Sequence, residues 1–218
     1  MNHIKDKIWL QLFIIYTRYL IGSAFVYSSI VKIQGLRFTV VDGSSYPINS
    51  PFHYFETMYQ TGMYWQFLGW GQLIAGLLLM TQRFAKLGVV IFFAIMSNIF
   101  VITISIPGFS ATSTITGLML LATIVLIIWD WEVLKILINI SPDLNTDKRF
   151  EHFKIWEIVG LVLFTVTVGV KVLKVPYDLL VWGVFCLFTG VIGLFFGLRN
   201  LERIKKKLSN INLENNEI

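Results

Sequence analysis

The 218-residue sequence predicts an all-α integral membrane protein: a bundle of four helices followed by a two-helix hairpin, six spans with both termini in the cytoplasm. Composition is the first reason. Hydrophobic residues make up 56% and charged residues 14%, with a mean hydropathy of +0.70, against roughly 45–50% and about 25% in soluble domains. The second is the presence of apolar stretches near the roughly 20 residues a membrane helix needs. The third is the uneven placement of the basic residues between those stretches. An ordinary soluble enzyme, a disordered chain and a disulfide scaffold are excluded together. Cys186 is the single cysteine, so no internal disulfide or dithiol couple can form.

The expected spans are Ile8–Val31, Tyr64–Met80, Phe84–Ile106, Ser113–Trp131, Ile155–Leu173 and Pro176–Leu198. Trp9, Trp65, Trp129, Trp131 and Trp156 fall near their ends, where amphipathic rings favour the headgroup level. With both termini inside, 13 of the 18 Lys+Arg residues lie on the cytoplasmic side. Lys32, Arg37, Lys171 and Lys174 lie outside or at the outer boundary, and Arg18 lies within the first span. The formal charge of +5 therefore reads as a topology signal before it reads as a nucleic-acid footprint. Arg18 also interrupts the apolar run that a cleaved signal peptide would need, so this segment is expected to be a span.

Residues 1–140 form the expected bundle, with one long outer loop at 33–63. In that loop Ser50-Pro51 reads as an N-cap with proline at the first helical position. Phe52, Phe55, Tyr59 and Met63 follow at helical spacing, which predicts a short interfacial helix covering the bundle's outer end. Residues 141–154, which include Ser141-Pro142-Asp143, read as a cytoplasmic linker; 155–198 form the hairpin and 199–218 a basic solvated tail. An anionic-lipid contact is the sharper reading of that tail.

Arg18 is nine residues after Trp9, hence roughly 13 Å into the hydrocarbon at 1.5 Å per residue. An arginine there is costly and is expected to face the bundle interior and find a partner. No acid occupies the middle of a span; Glu157, Asp130 and Glu132 are the nearest, all near cytoplasmic ends. Arg18, Gly22, Phe25, Ser29 and Lys32 share one helix face. Gln72 and Asn98 on the next two spans, with Thr114, Thr116 and Lys171 near outer ends, extend this into an intramembrane polar seam. Such a seam is either helix–helix glue or an outward-opening pocket for a lipid-like or quinone-like ligand.

His3, His53 and His152 all lie outside the spans, which excludes bis-histidine haem in the bundle. Metal-ligand spacing, a phosphate-binding loop and a nucleophile elbow are all missing from the sequence. No catalytic residue and no metal ligand is expected, and any redox role would need a quinone or a catalytic partner.

The stretch from Thr17 to Lys32, with Arg18, Gly22, Phe25, Ser29 and Lys32 in order, resembles the opening helix of the DoxX-like membrane proteins. Gly71-Gln72-Leu73-Ile74-Ala75-Gly76, followed by the turn around Arg83, is similar to that family's second helix. The likeness spans about residues 10–132. Ser29 stands where glycine is usual, and Gln72 where an acid is common, which takes away a membrane partner for Arg18. The resemblance implies a four-helix bundle, here carrying two further helices, in the inner (plasma) membrane of a bacterium. Relatives in that family imply either assembly or export roles or a quinone-enzyme subunit, which leaves two readings. One, favoured by the outer loop, the missing redox residues and the outward polar seam, is a non-catalytic accessory, maturation or lipid-sensing factor for an exported or membrane protein, with no cofactor. The other is a quinone-binding subunit of a thiosulfate:quinone-type oxidoreductase, with Arg18 and Gln72 on the quinone carbonyls. A transporter is the weaker option, since no broken helix or acidic coupling site is readable. The expected partners are the bilayer and a membrane or exported protein, and not a nucleic acid.

Overall fold

The computed structural model describes residues 5–39, 41–141, 150–174 and 176–216; Val40, Val175, the segment 142–149 and both chain ends lie outside the described residues, and with them His3, Lys148 and Arg149. The fold is 81% helical and has no strand among the described residues. In chain order the helices are α1 (Ile8–Ile33), α2 (Pro51–Gln60), α3 (Met63–Met80), α4 (Ala85–Ser105), α5 (Ser110–Trp129) and the single turn α6 (Trp131–Leu134). Two 3-10 turns, Lys135–Ile138 and Phe150–His152, precede α7 (Lys154–Val172) and α8 (Asp178–Asn216).

Among the described residues, five helices are long and apolar enough to cross a membrane: α1, α4, α5, α7 and α8 as far as Arg203. The second expected span, Tyr64–Met80, forms α3, which has 18 residues but is diluted by Gln66, Gln72 and three glycines and is not among the five. Large apolar side chains such as Leu179, Leu187, Phe188 and Phe195 stand exposed along α8. Exposure of that kind suits lipid and not water.

α1 is the central helix. Half of its apolar window is buried inside the protein, against 11% for α8. One side of α1 joins a core with α3, α4 and α5, where Phe25 stacks on Phe92 with ring centroids 3.8 Å apart. Its other side joins Met80, Phe150, Trp156, Val159 and Leu163. Close approach of α1 and α3 requires glycine, because a Cβ on Gly76 would lie 2.6 Å from the Gly22 carbonyl oxygen. By contrast, α1 packs only sparsely against α5.

Two expectations change at the end of the bundle where α1 starts. The helix expected to stop at Leu198 continues as α8 to Asn216, through most of the expected basic tail. Nothing in Arg199–Asn216 breaks a helix, and Glu202 and Lys206 sit at the favourable i, i+4 spacing. The end of the expected linker is packed, not solvated: Phe150 and Glu151 are both buried, and the Trp156 indole donates to the Phe150 carbonyl at 3.0 Å.

Candidate functional site

The expected polar seam divides into two sites facing opposite ends of the bundle. Arg18 belongs to the one at the end where α1 starts, labelled inner, and the site at the α2 end is labelled outer. Its guanidinium is 3% exposed and lies 2.7 Å from Asp130 Oδ2 and 3.4 Å from Glu151 Oε2. It also donates to Gln82 Oε1 at 3.0 Å. The Trp129 indole N–H donates to Glu151 at 3.1 Å, and the Glu151 backbone N–H donates to Gln11 Oε1 at 3.0 Å. Lys5 Nζ caps the assembly on the Trp129 carbonyl at 2.6 Å. These partners come from α1, the turn after α3, the end of α5 and the 3-10 turn before α7. The network therefore clamps the hairpin to the bundle.

The partners expected for Arg18 lie on both sides of it: Gln72 and Asn98 toward the outer ends, and Asp130, Glu132 and Glu157 toward the cytoplasmic ends. A helical side chain leans toward its own N-terminus, and the N-terminal end of α1 is the end of the bundle labelled inner. That lean turns the guanidinium inward, to acids at helix ends. Asp130 was among the candidate acids, and Glu157 lines the same inner cleft of about 490 Å³. Glu132 pairs with Lys135 at 2.8 Å instead. Glu151 had no signal, because it follows a linker whose return to the core cannot be read locally. With Gln72 in place of an acid, both terminal guanidinium nitrogens of Arg18 still find carboxylate or amide acceptors, while its buried Nε has no partner.

Lys32, Gln72 and Asn98 line the outer site, a cavity of about 280 Å³ enclosed by α1, α3, α4 and α5 under α2. Lys32 Nζ donates to the Ser28 carbonyl at 2.8 Å and lies 4.7 Å from the Phe38 ring centre and 5.2 Å from that of Trp65. Cation–π attraction steadies an ammonium there, and the lining contains no carboxylate. A Cβ on Gly69 would lie 2.8 Å from Lys32 Cβ, so the small residue lets the lysine stem lie flat on α3. One turn deeper on α3, Gln72 is 3% exposed and its Oε1 has no hydrogen-bond partner. Asn98 is at the rim, with an exposed side chain. Thr116 is in the lining and shares a 2.8 Å hydroxyl–hydroxyl hydrogen bond with Thr103. Thr114 is exposed, and Lys171 pairs with Asp178 at 2.7 Å, away from the cavity.

The roof is the helix expected from Ser50-Pro51. The Ser50 side chain accepts from the His53 backbone N–H at 3.3 Å, and Pro51 opens the helix. Phe55 meets Phe38 and Phe109, with ring centroids 5.1 and 5.4 Å apart. Arg37 then latches α2 to the loop that leaves α1. Its Nε and Nη2 donate to Glu56 at 2.8 and 2.9 Å, and Nη2 reaches Asp42 at 3.1 Å. The Arg37 hydrogen bonds hold the Glu56 carboxyl below the usual carboxylate range. Hydrogen bonds from Ser44, aided by the Arg37 charge, do the same for Asp42. Sequence reasoning missed this latch and the aromatic walls around Lys32. A lone acid on the loop helix, facing a loop arginine, was the available signal.

The chain matches no family model, no curated protein and no solved structure.

Proposed function

We propose that this chain is a DoxX-like integral membrane protein of six spans, with both termini in the cytoplasm of a bacterial inner membrane. It acts as a non-catalytic accessory, maturation or lipid-sensing factor for an exported or membrane partner, and its sensor is the outer cavity. One observation carries the reading: a roofed, largely apolar cavity that holds a single buried ammonium with no carboxylate beside it and a buried amide oxygen without a hydrogen-bond partner. The positive-inside distribution supports the orientation, and the α1–α3 crossing at Gly22 and Gly76 supports the family resemblance.

The test is the content of the purified full-length protein. Native mass spectrometry after mild detergent extraction is expected to find about one amphiphile per chain, lost in the cavity-filling variant Ile99→Trp. An empty protein that also fails to bind added lipids would sink the proposal. The quinone reading keeps one supporting observation, since Lys32 and Gln72 sit in an aromatic-walled cavity where they can donate to carbonyl oxygens. Stoichiometric quinone in the same preparation would favour it.

A further inference from the structure

The outer cavity carries more information about its occupant than its apolar walls do. Of the three donors on the Lys32 ammonium, the structure satisfies one, at the Ser28 carbonyl. A buried cation with so few acceptors calls for an anion, and no acid lines the cavity to supply one. Gln72 states the complementary need. Its buried Oε1 lacks a donor, an omission that is costly unless a ligand corrects it.

Both needs belong to the lining of one cavity. Lys32 crosses α3 at Gly69, one turn from Gln72. Its ammonium reaches back one turn along α1 to bond Ser28. A headgroup seated there presents an anionic acceptor to Lys32 and an O–H or N–H donor to Gln72 Oε1.

Size narrows the rest. A volume of about 280 Å³ holds roughly nine or ten groups at about 30 Å³ each. That accommodates a small headgroup and the first part of one chain. Ile115 lines the cavity and is 59% exposed, which marks where the rest of the chain leaves toward lipid.

We infer that the outer site takes a single-chain amphiphile whose headgroup is a carboxylate with an adjacent hydroxyl or amide N–H. The carboxylate sits on Lys32, the neighbouring donor on Gln72 Oε1, and the chain passes among Phe25, Met96 and Ile99 beneath α2. This inference rests on the cavity reading above and is separable from it.

The experiment uses the full-length protein in nanodiscs and competes four 14-carbon probes against a fluorescent fatty acid: the 2-hydroxy acid, the plain acid, the alcohol and the 1,2-diol. The expected order is 2-hydroxy acid, then acid, then alcohol and diol. The acid is expected to bind at least about tenfold better than the alcohol, the size of a charge-assisted hydrogen bond. Lys32→Met is expected to erase the preference for acids while neutral probes still bind, and Lys32→Arg to keep it. Gln72→Leu is expected to erase the advantage of the 2-hydroxy acid. Equal binding of acid and alcohol by the unaltered protein overturns the inference and leaves the cavity reading standing. A 2-hydroxy acid no tighter than the plain acid likewise overturns it. If no probe binds at all, the cavity reading fails as well.

Discussion

Arg18 shows how a costly intramembrane charge is kept. Two buried carboxylates, an amide oxygen and the lean of its own side chain bring the guanidinium into a closed network at the inner end. Removing one partner of such a network strands the others, which typically costs about 3–5 kcal/mol. Arg18→Ala is therefore expected to lower thermal stability in detergent sharply, and a second change, Asp130→Asn, to recover part of the loss. Additive losses in that cycle would show that the two residues are not coupled. Lys32 is the opposite case, a buried cation left with a backbone carbonyl and two aromatic faces. One is held by carboxylates in a network and the other is not, though both are basic residues on the same helix face.

The helix α2 is held by side chains and not by its apolar face alone. With Glu56 and Asp42 both shifted below the usual carboxylate range, the latch is charged at neutral pH. A lowered folded value means that its contribution is fully present above about pH 4, the ordinary carboxylate range, and is lost as pH falls through the lower folded values. Amide exchange across Pro51–Gln60, corrected for its intrinsic pH dependence, is expected to stay slow from pH 8 to about pH 5 and to accelerate below about pH 4. Glu56→Gln is expected to give fast exchange already at pH 7, with α1 and α3 unaffected. Unchanged exchange in that variant would assign the roof's stability to Phe55 and its aromatic neighbours.

The whole molecule is organised around α1, which contacts the four-helix core on one side and the hairpin on the other. The proposed orientation puts the Lys32 cavity and α2 outside and the Arg18 network inside. Single cysteines at Asp42 and Glu202, in a Cys186→Ser background, test it in intact cells. A membrane-impermeant maleimide is expected to label Asp42→Cys from outside and Glu202→Cys only after lysis. The reverse pattern would invert the topology, and labelling of both from outside would require an odd number of crossings.

The sequence alone determined the helical class, five of the apolar helices to within a few residues at most of their ends, and the Ser50-Pro51 start of the roof. Those features follow from composition, periodicity and capping, which are local. It also singled out Arg18, Lys32, Gln72 and Asn98, because polar groups in apolar runs are conspicuous. Only the tertiary structure decided that they do not form one seam. The direction of a long side chain, the return of Glu151 after a linker, and the space left between α1 and α5 depend on packing across residues more than a hundred positions apart. Charge pairing and cavity shape are set by those distant contacts, and no local pattern encodes them.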